Sequence, residues 1–400
     1  MTPEVKERIE QIRHGNVPEG YKRTKAGIYP EDWVELTMGD VYIERKEPGN
    51  ENLPLLMVSI HSGVSDGEVD EADLPKKVKR IEDKSQYKRA ASGDLVFNMM
   101  RAWQGAIGSV RTEGMVSPAY IVAEPNELVD PLFMDYYMKT PRMINAIHRQ
   151  SYGVTDFRLR LYWDSFAPIR CILPPVAEQC RIGKILYTQD RVIERKEQLL
   201  AEKQRQKKYL MQQLLTGMKR LQGFDGKWTK NKIANICTFK ASSVTASSLE
   251  KYIGENSYPI YDAGGLLRYV DFFESAQPYV SIVKDGAGAG RVALADAKSS
   301  VIGTMGYIFP ADEVLVEYLY YCLYNINFAK YSNGSTIPHV YFRDYGCEQI
   351  SLPDKREQQA IISVLLSVDK EIELMRNDIE REKQKKKALM QLLLTGIVRG

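Results

Sequence analysis

The stretch "GAGAG" at Gly286–Gly290 lies between Lys284 and Arg291, and small residues between cations can cradle a phosphate. Neither phosphate-binding pattern completes there. The dinucleotide fingerprint needs glycine at 291, where Arg291 stands, and then a helix, where "RVALA" reads as a strand. The phosphate loop needs Gly-Lys-Ser/Thr, which is missing. The spacing predicts a tight turn between two strands. Asp130-Pro131-Leu132-Phe133 lacks the second proline of the Asp/Asn-Pro-Pro-aromatic motif that grips an amino group, and no glycine-rich cofactor loop precedes it. "PED" near Pro30 and "ERK" near Glu44 imitate nuclease carboxylates, but such triplets are common in a chain that is 27% charged. No serine elbow, HExxH or Cys/His pair stands out. The expectation is a chain with no catalytic, cofactor or metal site of its own.

The bulk numbers bound the setting. Four hundred residues allow two or three domains, and 44% apolar content with 24 tyrosines says globular. Five cysteines are scattered and never spaced as CxxC, which points to a reducing cytosol and against zinc or disulfides. No apolar run nears the ~20 residues of a membrane span. The N-terminus is charged from its fourth residue, unlike a secretory signal, so the expected location is cytoplasmic with no membrane partner.

What positions the polar residues is a duplication. "LMQQLLTG" (Leu210–Gly217) returns as "LMQLLLTG" (Leu389–Gly396), and at that offset of 179 the copies Leu173–Arg220 and Leu352–Arg399 share 19 of 48 positions. Ile182, Leu186, Gln189, Ile193, Lys196, Leu200, Lys203, Lys207, Leu210 and Leu214 alternate in steps of four and three. Ile361, Leu365, Val368, Ile372, Met375, Ile379, Glu382, Lys386, Leu389 and Leu393 do the same. Each copy is therefore a heptad helix of about 38 residues, ~57 Å long at 1.5 Å per residue. Pro174, Pro175 and Pro353 stand before the helices, while Gly217 and Gly396 supply left-handed caps after them. Seams of equal phase in one chain are natural partners, and antiparallel pairing gives a pseudo-two-fold molecule. Lys207, Lys208, Lys385 and Lys386 read as a solvated face. Counted over Leu173–Arg220 and Leu352–Gly400, the copies carry net charges of +6 and +2, which leaves −5 on the other 303 residues.

A fainter repeat precedes each helix. Pro30–Lys46 resembles Phe224–Lys240, Gly93–Val110 resembles Pro278–Ala295, and Val116–Pro125 resembles Val301–Pro310. Leu132–Thr140 resembles Glu317–Asn325, a short aromatic helix. The fold class expected is α+β: two globular α+β units, each followed by a long coiled-coil helix. The boundaries are a helical preamble at 1–20 and a first unit at 21–172. A first spacer helix at 173–221, a second unit at 222–351 and a second spacer helix at 352–400 follow. A short preamble helix should run from Pro3 to near His14.

Two divergent units, each followed by a near-identical helix introduced by "LPPVAEQ" or "LPDKREQ" and closed by "LLTG", resemble one family. The chain is similar to the specificity subunit of type I restriction–modification enzymes, strongly in the helices and at "GFDGKW" (Gly223–Trp228), and weakly in the globular units. The resemblance implies a DNA-binding subunit whose α+β units are target-recognition domains, each reading half of a bipartite double-stranded site, joined by the two long coiled-coil helices packed antiparallel as a spacer. It implies two methyltransferase subunits as partners, bringing S-adenosylmethionine, with ATP-dependent restriction subunits able to join. Base edges would be read by Arg, Lys, Asn, Gln and hydroxyls on loops. The first unit offers Arg101, Trp103, Gln104, Tyr152, Arg158 and Arg160. The second offers Lys284, Arg291, Asn333, Ser335, Thr336, His339 and Arg343. The rival readings are a non-catalytic coiled-coil adaptor that binds only proteins, and a self-contained methyltransferase. The first leaves the two divergent units with their basic Gly-turns unexplained, and the second lacks a cofactor loop.

Overall fold

The computed structural model describes residues 2–60, 63–65, 86–153, 159–251, 257–334 and 336–400. The chain divides into two compact units, one of residues 1–196 with 379–400 and the other of residues 197–378. Each unit therefore owns part of both long helices.

In the first unit an antiparallel sheet runs in the order Tyr42–Glu44, Tyr120–Pro125, Leu95–Asn98, Ile107–Ser109. The central residues Leu95, Val96 and Phe97 are buried on both faces, so an unbroken apolar run is what this strand needs. A second ladder pairs Val34–Thr37 with Arg170–Leu173, which leads into the first long helix. The aromatic helix Pro131–Tyr137 starts where Asp130 accepts a hydrogen bond from the Phe133 amide, with proline in its first turn. The core joins Phe97, Phe133 and Phe166 to Ile182 and Leu186 of one long helix and Leu393 and Leu394 of the other.

The second unit repeats this plan. Its sheet runs Cys237–Ala241, Met305–Pro310, Tyr279–Val283, Val292–Ala295, and its second ladder pairs Thr229–Lys232 with Gln349–Leu352. "GAGAG" lies between two strands as expected, in a loop of residues 284–291 that joins Tyr279–Val283 to Val292–Ala295 and is longer than a tight turn. Gly290 has φ +89°, and a Cβ there would lie 2.3 Å from the Phe328 side chain, so both backbone and space require glycine. A hairpin, Tyr258–Asp262 and Gly265–Val270, is added to this unit.

The long helices span Val176–Leu215 and Lys355–Leu393. Their seams are the covered residues: Ile182, Leu186, Gln189 and Ile193 on one, Ile361, Leu365, Val368, Ile372 and Ile379 on the other. Both helices end on left-handed glycines, Gly217 at φ +74° and Gly396 at φ +72°. The pairing is antiparallel, because partner numbers fall as residue numbers rise. In the first unit Glu178 meets Arg399, Asp190 meets Lys386 at 2.5 Å, and Lys196 meets Glu382 at 2.7 Å. In the second, Lys203 meets Glu371, Lys207 meets Asp369 at 2.5 Å, and Arg220 meets Glu357 at 2.6 Å.

One expectation is corrected here. Lys207 and Lys386 do not form a solvated face. Each is partly covered, paired with an aspartate and set over tyrosine rings: Lys207 over Tyr321 and Tyr324, Lys386 over Tyr136. Lys208 and Lys385 are exposed, as a solvated face requires. Polar seam positions attract the nearest counter-charge, and the flanking aromatic helix supplies apolar cover for the lysine stem. The preamble helix runs Pro3–Arg13, and Arg8 donates to the Ile397 carbonyl at 3.1 Å.

Candidate nucleic-acid interface

In the first unit the candidate residues lie on two loops stitched together by backbone. Asn98 ends its strand and accepts from the Met100 amide, and a single 3-10 turn, Ala102–Gln104, follows and closes on Gly105 at φ +100°. Ala102 is buried and anchors the turn, which leaves Arg101 and Gln104 exposed. Trp103 is partly covered, edge-on to His148 with ring centres 5.5 Å apart, and its indole donates to the Met100 carbonyl at 3.1 Å. The ring is therefore held as a prop under the turn. The Leu161 amide donates to the Met99 carbonyl at 2.8 Å, and Tyr152 and Arg160 exchange both backbone hydrogen bonds at 3.0 Å. Arg101, Gln104, Tyr152 and Arg160 thus belong to one patch. Tyr152 is 58% exposed and packs on Tyr162, 5.4 Å between centres. Arg158 lies outside the described residues.

The second unit builds the equivalent patch from the equivalent loops. The Gly286 amide donates to Pro338 and the Val340 amide to Lys284, both at 2.9 Å, so the turn after Tyr279–Val283 is bound to the 332–340 loop. Asn333 pairs with His339 across a tight loop. Gly334 has φ +95°, and a Cβ there would lie 2.3 Å from the Ile337 carbonyl. Asn333 and Thr336 are exposed, while Ser335 lies outside the described residues. His339 Nδ1 is 2.7 Å from Asp285 Oδ1, and Lys284 binds the other oxygen of the same carboxylate. Burial pushes the Asp285 carboxyl up, but the hydrogen bonds from Lys284 and His339 outweigh this and hold it below its ordinary range. The His339 ring stacks on Tyr341, and the Arg343 guanidinium lies over the Tyr341 ring, 5.1 Å from its centre.

Lys284, Asn333, Thr336, His339 and Arg343 are brought together. Arg291 stands apart, its guanidinium donating to the Ala263 carbonyl at 2.7 Å in the turn of the added hairpin. Sequence reasoning passed over Asp285, Tyr341, Tyr162 and Met100. The first orients a candidate and the others are apolar or aromatic neighbours of the patch. Their signal was adjacency to Lys284, Arg343, Arg160 and Arg101, which a search for donors alone does not weigh. Arg and amide donors beside flat aromatic surfaces suit hydrogen bonding to base edges and phosphates.

Chemistry of other kinds finds little here. Among the described residues no group of His, Cys, Asp and Glu could hold a metal ion. Cys171, Cys237 and Cys322 are buried, and burial pushes their thiols up to about 12, which keeps them unreactive. No helix among the described residues is long and apolar enough to cross a membrane.

Comparison with known proteins adds to this geometry. Residues 225–382 match a family model described as the type I restriction modification DNA specificity domain. The chain is 23% identical to the type I restriction enzyme MjaVIII specificity subunit of Methanocaldococcus jannaschii over 95% of this chain and 96% of that one. Its fold is similar to a type I restriction–modification system S subunit from M. genitalium, with a TM-score of 0.58 and 12% identity over 90% of this chain and 95% of the other. A chain from a structure concerned with complex assembly and conformational transition of the type I restriction–modification system is similar too. Its TM-score is 0.56 and its identity 17%, over 92% of this chain and 99% of that one.

Proposed function

We infer that this chain, which belongs to the specificity-subunit family of type I restriction–modification enzymes, is the DNA sequence-recognition subunit of such a complex. One observation carries the reading. Two equivalent sheets present equivalent pairs of loops, each with a cation in its first loop, and the other side chains there are unlike: Arg101, Gln104, Tyr152 and Arg160 in one unit, Lys284, Asn333, Thr336, His339 and Arg343 in the other. A shared frame with unlike contact residues is what reading two unlike half-sites demands. The adaptor reading gives these loops no task.

Each patch addresses one half of a bipartite target, with the length of the paired helices setting the gap between halves. The complex acts in the cytoplasm. Methyl transfer and its S-adenosylmethionine reside on two methyltransferase subunits, and ATP-driven restriction on further subunits. The negative charge outside the helices supports this division, since it leaves little bulk attraction for DNA in the isolated chain. Co-expression with the neighbouring methyltransferase, followed by mapping of methylated bases in host DNA, tests the reading. A bipartite motif that vanishes without this chain is expected. Methylation that is independent of the chain, or equal sequence-specific affinity of the chain with and without its partner, overturns it.

A further inference from the structure

We propose that His339 reads, through a bare Nε2, a base carrying an exocyclic amino group, adenine or cytosine, in the half-site of the second unit. The proposal rests on the DNA-recognition reading above and names one contact within it.

The ring cannot choose its tautomer freely. Nδ1 is 2.7 Å from Asp285 Oδ1, and the same two residues also form a backbone bridge, which fixes the approach of the side chains. Lys284 occupies the second carboxylate oxygen and helps to keep Asp285 ionised. An ionised carboxylate only accepts, so Nδ1 must carry the hydrogen. In the neutral ring the lone pair then lies on Nε2, and that edge is an acceptor. Among the described residues Nε2 has no protein partner, and the side chain is 36% exposed. Tyr341, at 6.3 Å between centres and 13° between planes, limits rotation of the ring. The loop is tied down at Gly286, Asn333 and Val340, so the edge is held on a firm platform.

The major groove presents two kinds of partner to such an edge. Adenine N6 and cytosine N4 donate, whereas guanine O6 and N7 and thymine O4 accept. A bare Nε2 bonds to the first pair and repels the second. Among the described residues, the loops of the first-unit patch carry Arg101, Gln104 and Arg160 and no histidine paired with a carboxylate, so this preference is assigned to the second half-site.

The test uses the complex with its methyltransferase and reads the methylated motif. Wild type comes first: absence of any bipartite motif means that the DNA-recognition reading has failed, and this proposal with it. Given a motif, one position in the second half-site should be restricted to A, C or both. Asp285→Asn places an amide donor against Nδ1 and moves the ring hydrogen to Nε2. The preference at that one position should shift to G or T, with every other position unchanged. His339→Ala should relax the same position to all four bases. Variants that weaken all positions evenly, or change none, overturn the proposal. If either variant abolishes methylation, binding is measured on synthetic duplexes that lack the amino group at one A or C at a time. The wild-type complex should lose about tenfold affinity at one position, and His339→Ala should show no such difference there. An unchanged wild-type affinity at every position, or a loss that persists in His339→Ala, overturns it.

Discussion

The two units hold the same frame with the same residues and meet the outside with different ones. Glu178 accepts from Arg399 at 2.8 and 2.7 Å and from the Trp33 indole at 3.4 Å. Its copy Glu357 accepts from Arg220 at 2.6 and 2.7 Å and from the Trp228 indole at 2.8 Å. Gln179 bonds the Asp130 amide and the Leu128 and Pro174 carbonyls, and Gln358 repeats this with the Leu315 amide and the Glu313 and Pro353 carbonyls. Tyr136 donates to Asp190, and Tyr321 donates to Asp369, both at 2.8 Å. The helix members Glu178, Gln179 and Asp190, with Pro174 and Arg220, are identical to their copies at the offset of 179. The repetition of "LLTG" follows the same logic, since Gly217 sits on Trp228 and Gly396 on Pro30 and Trp33. A buried polar latch tolerates little change because every member must find its partner. A loop that faces solvent has no such restraint.

The fragment Met1–Leu221 puts the largest strain on this comparison. It removes 379–400 from the first unit and uncovers Ile182, Leu186 and Ile193. The fragment carries copies of what was lost: Lys207 for Lys386, Leu214 and Leu215 for Leu393 and Leu394, Arg220 for Arg399. Reciprocal exchange should close a two-fold dimer whose complex methylates a palindrome. One position resists. Lys196 pairs with Glu382 in the native chain, but the copy of Glu382 is Lys203, so the dimer places lysine against lysine. Lys203→Glu should tighten the dimer by about tenfold or less, a surface-pair effect. Sedimentation checks both statements; a monomer at tens of micromolar, or a non-palindromic motif, contradicts the first.

Next in size are the latch arginines. Glu178 and Glu357 have side chains only 2% exposed, so removing the cation leaves a nearly buried charge. Arg399→Ala should cost about 2–3 kcal/mol, at or below the range for broken buried pairs because the arginine is partly exposed, and Arg220→Ala should destabilise its own unit in the same direction. Hydrogen exchange should show each loss in its own unit, at Ile172 for Arg399→Ala and at Leu352 for Arg220→Ala. Equal loosening of both units by one substitution would show that the latches are not independent.

Much of this frame was legible because it is periodic. The helix spans and their glycine caps follow from spacing and proline placement, the mixture of strands and short helices follows from the faint repeats, and the antiparallel pairing follows from the family resemblance. The partners of the seam lysines were not legible. Lys203 lies against Glu371, not against Glu382, because antiparallel pairing joins positions that one-dimensional alignment never sets side by side. At the interface, sequence could nominate donors such as Arg291 but could not see that its guanidinium is spent on a backbone carbonyl. His339 and Asp285 are 54 residues apart in sequence and meet only through a backbone bridge.

A smaller difference separates the two seam lysines. Lys386 pairs with Asp190 and covers one tyrosine ring, while Lys207 pairs with Asp369 and covers two, at 5.6 and 4.9 Å. Replacing either with Met keeps the stem and removes the charge. Lys386→Met should cost about 0.5–1 kcal/mol and Lys207→Met slightly more, through the added cation–π contact. Calorimetry of the two variants should show falls of a few degrees at most, in that order. The reverse order would mean that the rings contribute nothing beyond cover.

The smallest effect tests a feature with no copy. Hydrogen bonds from Lys196 and Gln189 hold the Glu382 carboxyl down to about 2, against an ordinary value of 4.5. A carboxyl depressed on folding stabilises the fold fully above its unfolded value, and the contribution fades as pH falls from about 4.5 through about 2. Lys203, not a carboxylate, stands at the equivalent place in the first helix, so this acid sensitivity belongs to the first unit. Stability measured from neutral pH down to about 3 should fall less steeply in Glu382→Gln than in wild type. The difference should appear in hydrogen exchange of the first unit and be absent from the second. An unchanged slope would mean that Lys196 and Gln189 hold a carboxylate that is equally well solvated in the unfolded chain. In that case the register of the helices in this unit would rest on Asp190, Glu178 and the apolar seam alone.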